Sequence, residues 1–150
     1  GGGVAGGCLA AAGSGIEVYG VEPVGCDSLA RSLAAGVRVP VAPAPTIADG
    51  LRPSCVGELP FAIVRNTLRG VVRVDDDEIA AAFRLILTEL KVLAEPSGAA
   101  GLAGALRLAP EGDRQRTVGV VLTGGNVEAA LVARLMAPRS GDLTREGAAA

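Results

Sequence analysis

Apolar and polar positions along the chain fall into short blocks whose period switches between two and about 3.6 residues. Ile16-Glu17-Val18-Tyr19-Gly20-Val21-Glu22 alternates and stops at Pro23, which cannot continue a central ladder, so 16–22 is predicted as a strand. Val71-Val72-Arg73-Val74 predicts a second, short strand. Residues 117–122 are almost wholly apolar and predict a strand buried on both faces. The intervening blocks read as helices. Residues 4–12 are Ala-rich and closed by Gly13-Ser14-Gly15, and 27–35, with Asp27 suited to cap its start, end at Gly36. The stretch 37–45 holds three prolines and no helical period, so it is predicted as an extended loop. Segment 58–68 is ambiguous: Pro60 fits a first helical turn, and Phe61, Val64 and Leu68 recur at helical spacing.

The strongest helical signal follows the second strand. Asp75 stands three residues ahead of Glu78, the spacing of a capping box, and carboxylates crowd the end that the helix dipole favours for negative charge. Ile79, Phe83, Ile86, Leu87, Leu90 and Ala94 form one apolar face, with Arg84, Thr88, Lys91 and Glu95 on another. The spacing predicts a helix up to Glu95, which Pro96 forces out of helical space. Ser97 is then expected to cap a small-residue helix over 98–108, and Asn126 to cap a last helix. Strands alternating with helices predict an α/β fold, a mostly parallel sheet flanked by helices. Residues 1–136 read as one unit. Periodicity stops after Met136, so 137–150 is expected to be a disordered tail.

Composition narrows the chemistry. The chain has 150 residues, no His and a formal net charge of −2. That excludes His-based triads, His general bases and His metal sites within the chain. Lys91 is the only lysine, and 2% aromatic residues offer little platform for stacking bases, so no nucleic-acid partner is expected. Cys8, Cys26 and Cys55 are odd in number and far apart, which suits a reducing, cytoplasmic setting. No stretch reads as a membrane span. The chain opens on Gly1 inside a glycine run rather than on Met, and is expected to be a partial sequence.

Four segments can carry chemistry. Gly1-Gly2-Gly3 at a helix start lets backbone amides converge on an anion, although a glycine run also serves as a flexible start or a close-packing surface. Thr123-Gly124-Gly125-Asn126 follows the predicted buried strand, at the sheet edge where ligands collect, yet it equally suits an ordinary strand-to-helix turn. Glu95-Pro96-Ser97-Gly98-Ala99 reads locally as a helix stop and restart, and Thr46-Ile47-Ala48-Asp49-Gly50 as a turn.

Taken in order, these segments resemble the C-terminal half of the serine/threonine dehydratase and serine racemase family, the fold-type II enzymes dependent on pyridoxal phosphate. Val18-Tyr19-Gly20-Val21-Glu22-Pro23 and Val74-Asp75-Asp76-Asp77-Glu78-Ile79 complete the resemblance, which extends over residues 1 to about 128. It implies that Gly1, Gly2 and Gly3 close the loop that binds the cofactor phosphate. It implies that Thr123, where the family has mostly Ser, contacts the ring nitrogen through its hydroxyl, and that Glu95 lies near the ring. It also implies a divalent cation at Glu22, the Cys26 main-chain carbonyl and position 28. Ser28 stands there in place of an Asp and is a poorer ligand for a hard cation. Matches to a nucleotide site fall on Lys91 and Asn126, although Lys91 also reads as a solvated helix cation.

The family's cofactor-anchoring lysine lies in the half that has no counterpart here, and Lys91 does not match its motif. The chain alone is therefore expected to be inactive. The implied parent is a homo-oligomeric threonine/serine ammonia-lyase acting on a small amino-acid substrate by α,β-elimination, giving a 2-oxo acid and ammonia. The alternatives are a serine racemase-like parent and a non-catalytic pyridoxal-phosphate-binding module.

Overall fold

The computed structural model describes residues 2–13, 15–109 and 117–137. Helix α1 (Gly3–Ala11) leads to strand β1 (Tyr19–Pro23), helix α2 (Ser28–Ala35), a long loop with a single 3-10 turn (Asp49–Leu51), and helix α3 (Glu58–Val64). Strand β2 (Gly70–Val74), helix α4 (Asp76–Leu85), a π-helical turn (Ile86–Leu90), helix α5 (Pro96–Leu108) and helix α6 (Ala129–Met136) follow. β1 and β2 pair in parallel, with Tyr19 opposite Gly70 and Pro23 opposite Val74. Parallel neighbours need a long crossover, and α2, the Pro-rich loop and α3 supply it.

Two apolar cores form on either side of this pair. Val74, Ile79, Phe83, Ile86, Ala99, Ala100, Ala103 and Leu135 join β2, α4, α5 and α6. Leu29, Val56, Phe61 and Val64 join α2 to α3. Of the apolar face predicted for the α4 segment, Ile79, Phe83, Ile86 and Ala94 are buried and Leu87 partly so, whereas Leu90 is exposed because the coil ends there. Small residues let α5 press on β1: a Cβ at Gly104 would stand 2.4 Å from a methyl carbon of Val21. The Asp75–Glu78 capping box forms in both directions, at 2.9 and 2.8 Å.

Several local expectations are corrected. The predicted buried strand 117–122 joins no ladder among the described residues, and Val118 and Val121 are 65% and 55% exposed. Its apolar run lacks the neighbouring strand that would cover it. The α4 segment stops short of Glu95: Lys91 adopts a left-handed conformation with φ 57°, after the π-helical turn widens the last coil. Asp27 occupies the cap position of α2 without a side-chain cap bond, because Glu22 takes that role from the strand tip. Glu95, not Ser97, is the cap residue of α5, with Pro96 in its first turn, and Glu128 rather than Asn126 precedes α6. Gly1, Ser14, residues 110–116 and, from 138 onward, the predicted tail lie outside the described residues. Among the described residues no helix is long and apolar enough to cross a membrane.

Candidate functional site

A cavity of about 970 Å³ opens beside β1, and the start of α1, the β1 tip, the start of α5 and the Thr123 segment all contribute to its wall. That volume lies at the upper end for a small-molecule site. Gly2, Gly3 and Thr123, singled out in the sequence, therefore share one cavity, together with Glu22, Cys26 and Ser28. Glu95 and Lys91 are not on the wall.

The anion-binding end is built by α1. The first intrahelical bond runs from the Gly6 amide to the Gly2 carbonyl at 2.9 Å. The amides of Gly3, Val4 and Ala5 then have no partner inside the helix, and these residues line the cavity. Gly2 has φ 87°, a conformation that a side chain strains, and a Cβ there would meet Val56 at 3.0 Å. Gly3 has open space at its Cβ position. The arrangement fits a phosphate by charge and by donor direction.

At the other end, two sequence motifs fold into one clasp. The Glu95 amide donates to the Gly124 carbonyl at 3.1 Å, and the Asn126 amide donates to Glu95 Oε2 at 3.2 Å. Gly124 has φ 69°, and a Cβ there would stand 2.4 Å from the Glu95 carboxyl carbon. A Cβ at Gly98 would stand 1.8 Å from the Thr123 carbonyl oxygen. Only glycine at both positions lets Thr123 sit this close to α5. Glu95, expected beside a cofactor ring, lies off the cavity wall and holds this loop through the Asn126 amide.

Two residues missed as functional in the sequence complete the wall. Gly50 and Ser97 both line the cavity, and the Gly50 amide donates to Ser97 Oγ at 3.0 Å. The loop that carries Gly50 is hooked to α4: Thr46 Oγ1 donates to Asp76 Oδ1, and the Ile47 amide donates to Asp76 Oδ2 at 3.1 Å. The motifs hinted at both residues, but a partner 47 positions away leaves no local signal.

Of the expected cation ligands, Glu22 has both carboxylate oxygens engaged by the head of α2. Glu22 Oε1 accepts from the Leu29 amide at 2.8 Å and Oε2 from the Ala30 amide at 3.0 Å. Burial pushes the Glu22 carboxyl above its ordinary range, against the lowering effect of those two amides. The Cys26 thiol donates to the Ala44 carbonyl at 3.3 Å, and burial raises it too. The Ser28 carbonyl accepts from the Ser32 hydroxyl at 2.6 Å. Among the described residues no group of three His, Cys, Asp or Glu could hold a metal ion. Lys91 is exposed and its Nζ donates to the Thr88 carbonyl.

Residues 1–124 match the family model described as pyridoxal-phosphate dependent enzyme. The chain belongs to this family. It is 40% identical over 117 residues to a serine racemase of Arabidopsis thaliana, covering 75% of this chain and 35% of that protein. It is also similar to the crystal structure of a threonine deaminase from T.th., with TM-score 0.77 and 37% identity, covering 85% of this chain and 44% of the other. The structure of maize serine racemase superposes with TM-score 0.79 at 36% identity, covering 91% and 45%. The chain thus spans 35–45% of the length of these members of the pyridoxal-phosphate family. The expected family and α/β fold class are both borne out.

Proposed function

We propose that this chain forms the phosphate- and ring-binding part of a pyridoxal-phosphate-dependent ammonia-lyase that converts L-threonine or L-serine to a 2-oxo acid and ammonia. The observation that carries the reading is the single cavity shared by the free amides of α1 and by Thr123. When bound, pyridoxal phosphate supplies the electron sink on which loss of the α-proton and the β-hydroxyl depends. The chain's own residues supply the rest. Gly2 and Gly3, with Val4 and Ala5, would hold the phosphate through main-chain amides. Thr123 would meet the ring with a neutral hydroxyl, and Glu95 would keep the Thr123 loop in place.

The serine racemases among the relatives favour a second reading, a parent that inverts the α-carbon of serine instead. A module without chemistry of its own is the third reading, supported by the position of Lys91 off the cavity wall. A divalent cation belongs to the proposal only as an adjunct. Glu22 and the Cys26 carbonyl offer two ligand groups where a calcium ion takes six to eight oxygens. The three free cysteines support a reducing, cytoplasmic compartment, and a homo-oligomeric parent goes with the family reading.

Titration of the chain with pyridoxal phosphate, followed by thermal unfolding, tests the site. Saturable binding is expected, with stabilisation of about 2.7 kcal/mol at a ligand concentration a hundredfold above Kd. Absence of saturable binding overturns the reading. In a longer protein carrying this chain, a 2-oxo acid from L-threonine supports the lyase. D-serine from L-serine, without keto acid, supports the racemase.

A further inference from the structure

Ser97 has an unspent hydrogen. Only 9% of the residue is exposed, and it lines the cavity. A hydroxyl has one hydrogen to donate and two lone pairs. The oxygen accepts from the Gly50 amide at 3.0 Å, and among the described residues no acceptor takes the hydrogen. Inside a helix the usual outlet for that hydrogen is the carbonyl four residues back, and Ser97 stands in the first turn of α5, where that carbonyl belongs to the preceding segment. Because the residue lines the cavity, an acceptor that arrives with a ligand can take the hydrogen.

Its neighbours select that acceptor. Gly50 lines the cavity beside Ser97, and a Cβ there would meet Ser97 Oγ at 3.0 Å, so only a glycine lets the loop close on this hydroxyl. Gly98, the next residue, abuts the Thr123 carbonyl, so the two hydroxyl-bearing residues frame one corner. The Glu95 carboxylate lies behind the same corner, 3.6 Å from the Cβ position of Gly50. A second full negative charge would be repelled there, whereas a neutral lone pair on a ring would not. Ser97 is also better fixed than Thr123, because it rides on a 13-residue helix with its oxygen pinned, while Thr123 sits in an exposed extended segment.

We propose that Ser97 is a ligand-contacting residue that donates its hydroxyl hydrogen to a lone-pair atom on the edge of the bound pyridine ring, alongside Thr123. The inference rests on the proposed pyridoxal-phosphate site and adds a contact to it.

Pyridoxine 5′-phosphate is the suitable probe, since it keeps the ring and phosphate but carries an alcohol that does not react with amines. Inorganic phosphate is the control without a ring. Calorimetric titration of Ser97→Ala is expected to show affinity for pyridoxine 5′-phosphate reduced about three- to tenfold, with phosphate affinity unchanged. Ser97→Thr, which keeps the hydroxyl, is expected to bind within about twofold of the original chain. Unchanged affinity of Ser97→Ala for the ring-bearing probe overturns the proposal and leaves the site intact. Equal losses for both probes also overturn it, since the hydroxyl would then only hold the fold. If the original chain binds neither probe, the site reading itself fails and this inference falls with it.

Discussion

At the scale of single residues, Asp27 shows how burial and pairing compete. It is 3% exposed, which by itself raises a carboxyl pKa. Hydrogen bonds from Arg31 at 3.0 Å, from its own backbone and from Arg73 at 3.3 Å outweigh that penalty and hold it below the ordinary range. A carboxyl depressed in the folded state stabilises above its unfolded pKa of about 3.9, and the benefit is lost as pH falls through the lower folded value. Both arginine side chains are more than half exposed, so water screens part of the attraction. Asp27→Asn is expected to cost about 1–3 kcal/mol at neutral pH. Urea unfolding across pH 2–7 checks it: the gap between the two proteins closes on the acid side. A gap that stays constant to pH 2 would contradict the ion-pair origin.

At the scale of elements, the end of α4 carries the informative deviation. An uninterrupted helix would have carried Glu95 around the coil and away from Gly124. The π-helical turn and the left-handed Lys91 stop it early and turn the chain toward the clasp. A non-glycine residue in that conformation is strained by about 1–2 kcal/mol. Lys91→Gly is therefore expected to stabilise the chain by about 0.5–1 kcal/mol after the extra unfolded-state freedom of glycine is deducted. The denaturant midpoint reads it directly. A lower midpoint would mean that the Lys91–Thr88 contact outweighs the strain. The capping box at the other end of α4 was legible from sequence because its two partners are three residues apart. The helix end was not, because its cause lies across the molecule at Gly124.

At the scale of the whole molecule, the paired strands are too few to cover the apolar surface. Among the described residues β1 pairs with β2 alone, and Val118, Val121 and Leu122 are exposed on a segment that reads as a buried strand in the sequence. Solved relatives matched over 44–45% of their length carry much additional chain. By itself this chain is expected to bind 8-anilinonaphthalene sulfonate and to sediment above the monomer as concentration rises. A monomer that ignores the dye would show that 117–122 is covered by the chain's own residues.

The sequence by itself determined the periodic elements, the capping box, the left-handed glycine at position 36 and the ordered motifs that carry the family resemblance. Each depends on residues within about one helical turn of one another, or on chain order alone. Tertiary structure decided which motifs meet: Asp76 with Thr46, Gly50 with Ser97, Glu95 with Asn126, and Glu22 in place of Asp27 at the head of α2. Those pairings join backbone and side-chain groups many residues apart. Their cause is the packing of elements distant in sequence, above all α5 against α4, β1 and β2, which no local window of sequence contains.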